Sequence, residues 1–185
     1  MKKMKIKNIS FKPYKDGNLR EIEKHKHNNE GFEHSCAECM YYQACDDGIN
    51  DHEKWLDNKR KMYGDCGYLI YNGDKLAGFI QVAPQKELLK LKEFNENADK
   101  SDAWYLTCIY VYKEIDANLK MQIVKRSLKF IFNELKRRGV KIIGMSAPII
   151  EGTISSMPFS WDFYEKEGFI IKSKGDEYAE GYIKL

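Results

Sequence analysis

Three places in the chain carry residue types and spacings that could do chemistry. The first is Trp161-Asp162-Phe163-Tyr164-Glu165-Lys166-Glu167-Gly168-Phe169, a short helix that ends in glycine and runs into a strand. A phenol held there could donate a hydrogen bond to an electronegative atom at a sheet edge. Equally, Phe163-Tyr164 could be a helix face packed on the sheet, its hydroxyl satisfied locally. The second is the apolar run Trp104–Val111, which leads through a polar turn into a long amphipathic helix. Strand, turn, helix is an arrangement that presents backbone N–H groups to a phosphate. The third is Cys36-Ala37-Glu38-Cys39 with Cys45, and His34 just ahead, offering soft or borderline metal ligands close together.

An alternation of strand and helix patterns positions these residues. Residues 5–12 place Ile6, Ile9 and Phe11 among polar residues and read as an opening strand; residues 18–27, with Leu19 and Ile22, read as a short helix. Residues 28–51 lack periodicity and hold the cysteine cluster. Asn50 or Asp51 can cap a helix carrying Trp55, Leu56 and Met62 that ends at Gly64. Residues 67–71 and 75–83 flank Asn72-Gly73 and read as a hairpin, with Pro84 stopping its second strand. Residues 85–102 are a charged excursion with a helix over 87–94. Trp104–Val111 is apolar on both faces, as a central strand is. Residues 119–138 form the longest helix, with Ile123 or Val124, Leu128, Ile131, Phe132 and Leu135 as its stripe and Gly139 at its end. A buried strand over 140–147, a loop over 148–160, a helix over 161–167 and strands over 169–171 and 178–185 complete the chain. Strands joined through helices run parallel and hairpin strands antiparallel, so this order predicts an α/β (α+β) fold: a mixed sheet with helices on both faces.

The element order, the residues 163–169 and the placement of the long helix resemble the GNAT superfamily of acetyl-coenzyme A-dependent N-acetyltransferases. The resemblance covers roughly residues 66–185 of a single domain spanning 1–185, with 28–51 as a cysteine-rich insertion on the acceptor side. It implies a GNAT-like mixed β-sheet with a central splayed parallel strand pair, and acetyl-CoA as co-substrate. The pantetheine arm would lie between strands 104–111 and 140–147, paired with the backbone of Ile109, Tyr110 and Val111, with Thr107 or Cys108 nearer the thioester. The pyrophosphate would meet Leu119, Lys120, Met121 and Gln122. Tyr164 stands where the family places the tyrosine that serves the departing thiolate, four residues before Gly168.

At the phosphate turn the sequence departs from the family. An arginine or glutamine followed by a spaced glycine pair is replaced by Asp116-Ala117-Asn118-Leu119-Lys120-Met121-Gln122-Ile123-Val124, which has no glycine. Counting forward from Val111 puts the turn at 116–121, and counting back from Gly139 puts it at 119–124. Either the turn is long or the helix starts early. Lys120 or Lys125 could neutralise a phosphate, and Asp116 would oppose one. The implied function is acetyl transfer to an amine of a small molecule or peptide; the glycine-free turn keeps open a second reading, a catalytically decayed GNAT-fold binding or regulatory protein. Strand 104–111 has no carboxylate to serve as a family-style base. Glu87, Asp102 or a neutral amine reached through water are the alternatives. Residues 85–102 and 151–159 are expected to border the acceptor pocket at the sheet's open end.

Composition bounds these readings. A chain of 185 residues with 43% hydrophobic and 32% charged residues can bury a core of its own. A formal charge of +3 is too small to argue for a nucleic-acid partner. No apolar run approaches the ~20 residues of a membrane helix, and the lysine-rich start leads into no apolar signal segment, so a cytoplasmic location is expected. With five cysteines and no such segment, reduced thiols are expected. Zinc would accept Cys36, Cys39, Cys45 and His34, but structural sites usually pair two such knuckles; free loop thiols are the other reading, and no metal ligand is assigned. The sequence is compatible with a homodimer.

Overall fold

The computed structural model of the chain describes residues 8–15, 18–21, 52–94, 102–112, 114–150 and 157–185. Strands β1 (Ile9–Pro13), β2 (Gly67–Asn72), β3 (Lys75–Pro84), β4 (Trp104–Val111), β5 (Ile142–Pro148), β6 (Ile170–Lys174) and β7 (Tyr178–Lys184) form one seven-stranded sheet in the order β1-β2-β3-β4-β5-β7-β6. Helices α1 (His52–Tyr63), α2 (Leu89–Phe94), α3 (Ala117–Arg137) and α4 (Trp161–Lys166) connect them, with short 3₁₀ turns at Asn18–Glu21 and Gln85–Glu87.

Successive side chains of a strand point to opposite faces. A Cβ on Gly67 would meet the rings and methyls of Phe79 and Leu56, so this face of the sheet lies under α1. The next residue, Tyr68, meets Phe130 of α3 edge-on at 4.9 Å, which puts α3 on the other face. Phe11 of β1 stacks on the same Phe130 ring at 4.2 Å. Both faces are therefore covered, as the apolar character of β2, β3 and β4 required.

β4 and β5, joined through α3, pair in parallel; the remaining neighbours pair antiparallel. The expectation that helix-joined strands run parallel does not hold between β3 and β4. They are joined through a helical excursion, yet Pro84 pairs with Trp104 antiparallel, because the excursion returns the chain at the same end of the sheet. The hairpin is displaced by one residue from the Asn-Gly reading. Asn72 pairs with Lys75, which leaves Gly73-Asp74 as the two-residue turn. α3 begins at Ala117, two residues earlier than its apolar stripe indicated, and β6 continues to Lys174. No helix among the described residues is long and apolar enough to cross a membrane.

The excursion after β3 lies at the end of the sheet where β4 begins. There Glu87 accepts from Lys59 of α1 at 2.6 Å and from the Tyr63 hydroxyl at 2.5 Å. Burial raises the Glu87 carboxyl, but the Lys59 ammonium and Tyr63 hydroxyl together outweigh it and hold the group below its ordinary value of 4.5. A depressed carboxyl contributes stability that is complete above its ordinary value and is lost as pH falls through the lower folded value. Glu87→Gln is expected to cost about 1 kcal/mol at pH 7, partial exposure reducing the usual worth of charged hydrogen bonds. Urea unfolding at several pH values checks this: the gap to the parent should narrow below pH 4.5, and a constant gap would sink the ion-pair account.

Candidate active site

A gap in the centre of the sheet follows from the register of β4. The pairing with β3 shifts between Gln81 and Val82, so that Thr107 faces no β3 residue. An extra residue of this kind bends its strand. The Thr107 hydroxyl fixes the bulge by donating to the Gln81 carbonyl at 3.3 Å. Parallel pairing with β5 runs Trp104↔Ile143, Tyr105↔Gly144, Leu106↔Met145 and stops there, although β4 continues to Val111 and β5 to Pro148. Beyond Leu106 the two strands diverge. Tyr112 donates its N–H to Ala77 of β3 at 3.0 Å. At two-residue alternation Tyr110 also turns its backbone toward β3, and Ile109 and Val111 turn theirs toward the gap. The side chains of Ile109 and Val111 are buried, while Tyr110 is half-buried with its ring edge-on to Tyr112.

Tyr164 of α4 is fully buried, and its hydroxyl has no hydrogen-bond partner among the described residues. Burial drives its pKa far above the usual phenol value. The Phe159 backbone, near but outside hydrogen-bond geometry, pulls it back, and the Cys108 thiol on β4 pushes it further up. Cys108 is the residue after the bulge, so the phenol lies beside β4 just past the point where the strands part. Its helix is held from several sides. Phe163 stacks on Phe159 at 4.5 Å, Phe132 of α3 meets Phe169 at 5.8 Å, and Lys125 of α3 bonds Glu167 at 2.7 Å. Gly168, at φ +99°, ends α4 and lets the Phe169 N–H bond back to the Tyr164 carbonyl at 3.1 Å.

The start of α3 lies directly after β4. Asp116 is its N-cap, the carboxylate accepting from the Leu119 N–H at 3.0 Å and the carbonyl accepting from Lys120 at 2.8 Å. Of the expected phosphate-binding residues, Leu119 is buried in the core, Lys120 is half-buried, and Met121 and Gln122 are exposed. All four lie inside the helix rather than in a loop. The early helix start, not a long turn, accounts for the mismatch between the two counts.

Solved structures carry the same architecture. An acetyltransferase of the GNAT family from Listeria monocytogenes matches with TM-score 0.52 at 16% identity, over 74% of this chain and 73% of that one. The ribosomal-protein-S18-alanine N-acetyltransferase of Escherichia coli matches with TM-score 0.52 at 13% identity, over 96% and 94%. The NatC complex bound to Gag peptide and CoA matches with TM-score 0.54 at 13% identity, over 96% and 98%. The chain has the GNAT fold. At these identities the likeness is one of fold; no protein-family model matches the sequence, and no curated protein matches it.

Within this GNAT fold two features expected on the acceptor side lie elsewhere. Glu87 and Asp102 sit at the closed end of the β4–β5 wedge, where Pro84 pairs with Trp104, and so does the described part of the charged excursion over residues 85–102. Glu87 is also engaged by Lys59 and Tyr63. The open end is instead formed by the β2–β3 turn, the start of α3 and the chain after Pro148. Cys36, Cys39, Cys45 and His34 lie outside the described residues, as do residues 151–156. Among the described residues no group of His, Cys, Asp and Glu could hold a metal ion. Cys66 is a core residue, its thiol pushed up to about 12 by burial.

One polar pair near the bulge has no signal in the sequence. His52 Nε2 lies 2.8 Å from Gln81 Oε1, both side chains buried, and the Gln81 Nε2 has no partner among the described residues. Gln81 pairs with Cys108, so this contact stands on the α1 face of the site. A helix-start histidine and a mid-strand glutamine carry no periodicity that would link them.

The seat of α4 depends on Gly181 of β7. A Cβ there would come within 2.4 Å of the Trp161 ring and 2.2 Å of the Ile170 carbonyl. Gly181→Ala is therefore expected to cost about 2–3 kcal/mol, because the ring and the β6 backbone must both move. Denaturant unfolding checks it; a loss below about 0.5 kcal/mol would show that Trp161 has room to shift.

Proposed function

We propose that this chain is an N-acyltransferase that moves an acetyl group from the thioester of a pantetheine arm, as in acetyl-CoA, to an amine. The observation that carries the reading is the pairing of two features: a strand that leaves its parallel neighbour after Leu106, and a buried, unpartnered phenol beside it. An extended arm bearing amides fits a strand edge, since Ile109 and Val111 can each offer an N–H and a carbonyl across the gap. Tyr110 contributes from its side-chain surface, its backbone being turned toward β3.

A thioester supplies an activated acyl carbon; the rest is done by this chain's residues and water. The amine nitrogen forms a bond to the acyl carbon, the carbon–sulfur bond breaks, the amine loses one proton and the sulfur gains one. Tyr164 acts at the sulfur. Even an ordinary phenol, at about 10, is a weaker acid than a thiol at about 8.5, and burial raises Tyr164 further. The hydroxyl keeps its proton throughout the neutral range and stabilises the leaving sulfur by donating a hydrogen bond. An exposed acceptor amine is deprotonated by water at the open end, where the wedge meets solvent. The acceptor class is a small-molecule or peptide amine. The GNAT-fold NatC complex is bound to a peptide and the E. coli protein is named for a protein alanine.

A non-catalytic binding protein is the competing reading, favoured by the carboxylate that caps α3. The unpartnered phenol speaks against it, because a fold with no use for the hydroxyl gains by losing it. Tyr164→Phe keeps the ring and removes only the oxygen. It is expected to lower kcat by about ten- to a thousandfold, roughly 1.4–4 kcal/mol of transition-state stabilisation. It should at the same time raise stability by about 1 kcal/mol, since a buried unsatisfied hydroxyl is costly. Steady-state kinetics under conditions where chemistry limits turnover, together with thermal unfolding, test both. An unchanged kcat removes the catalytic role of Tyr164.

A further inference from the structure

Which part of the thioester donor the protein grips is the question left by the acyltransfer reading, on which this inference rests. A helix offers four backbone N–H groups at its start without intrahelical partners. In α3 the carboxylate of Asp116 takes one of them, that of Leu119, at 3.0 Å, and its carbonyl accepts the first intrahelical bond, from Lys120, at 2.8 Å. The N–H groups of Met121 and Gln122 are inside the helical ladder. The negative charge that a helix N-terminus favours is already supplied by the chain itself.

The surrounding charge points the same way. Glu114 is exposed two residues before Asp116, and residues 113–122 carry two carboxylates against two lysines, so the turn supplies no net positive charge for a diphosphate. Lys125, one turn further along, is drawn to Glu167 at 2.7 Å with its ammonium over the Phe163 ring at 5.8 Å. A nucleotide diphosphate arriving at this end would meet the fixed carboxylate of Asp116 at the helix start. The pantetheine half of the cleft carries no such conflict, being lined by the uncharged backbone of Ile109 and Val111.

We propose that Asp116 sets donor selectivity: the site holds a pantetheine thioester by β4 alone, does not favour the nucleotide diphosphate, and accepts nucleotide-free acyl-pantetheine as readily as acetyl-CoA. The substrate class is thus an acyl thioester of a pantetheine arm, whatever the arm is attached to beyond its far end.

The test measures binding of pantetheine and of CoA to the full chain by calorimetry, and turnover with acetyl-pantetheine and acetyl-CoA. In the parent protein the two dissociation constants, and the two values of kcat/KM, should agree within about threefold. Asp116→Asn keeps a good N-cap and removes the charge. It should tighten CoA by about five- to tenfold, the scale of one unit charge near an exposed diphosphate, and leave pantetheine unchanged. Unaltered pantetheine binding also shows that the variant is folded. A parent that prefers CoA by about thirtyfold or more overturns the selectivity while leaving acyl transfer in place. So does an Asp116→Asn protein with an unaltered CoA-to-pantetheine ratio. If neither ligand binds at millimolar concentration, the acyl-donor reading itself falls.

Discussion

β4 cannot stay paired with both neighbours along its whole length, and the rest of the site follows from that constraint. The extra residue at Thr107 bends the strand while its ladder to β3 continues to Val111. On the other side β5 is held to β7 over seven consecutive pairs, from Ile142↔Lys184 to Pro148↔Tyr178. Each strand is committed to its outer partner, so neither can swing across to close the gap after Leu106. Backbone groups facing such a gap are strong donors and acceptors that need water or a ligand. A cleft made this way is a property of register and needs no particular side chain.

The phenol beside the gap is a different kind of feature, because it has an energetic cost. A buried hydroxyl without a partner destabilises by roughly 1–3 kcal/mol, and a side chain with freedom to move would relieve it. α4 has little freedom. The Lys125–Glu167 pair contributes little by itself, since the lysine side chain is 49% exposed. The restraint comes from packing: Trp161 lies against Gly181, Phe163 against Phe159 and Phe169 against Phe132. Aromatic pairs of this kind contribute about 0.5–1.5 kcal/mol each beyond the area they bury, enough together to hold the hydroxyl where it is unsatisfied.

The sequence was most legible where packing decides structure. Trp104–Val111, apolar on both faces, is a central strand with the bounds its pattern indicated, and Phe163–Tyr164 ahead of Gly168 is the helix end it resembled. Legibility failed where a short polar contact decides. The Asp116 cap adds a first turn to α3 before its apolar stripe begins, so the stripe alone places the helix start too late. The hairpin turn shifted because Asn72 is buried and paired with Lys75, and its turn propensity was overridden by the ladder. The excursion after β3 was misplaced because its end of the sheet depends on whether β3 and β4 run parallel, which residue patterns within it do not encode. The bulge at Thr107 has no signature in an apolar run, yet it makes the cleft.

Two halves of the candidate site therefore answer to different physics. The strand half is specified by topology, and solved structures that share 16% or 13% identity with this chain share its fold. The helix half is specified by individual residues at one turn, where the Asp116 carboxylate decides which group caps the first N–H groups. Capping and anion binding draw on the same set of N–H groups and the same dipole, so each side-chain cap leaves less of both for a ligand. A glycine-rich start leaves those groups for a ligand and loses backbone entropy on folding. An aspartate cap takes one of them within the chain, sets a negative charge beside the rest and stabilises the helix by about 1 kcal/mol with no ligand bound. The sequence at Asp116 has taken the second course, which caps α3 from within the chain, while the gap between β4 and β5 is set by register alone.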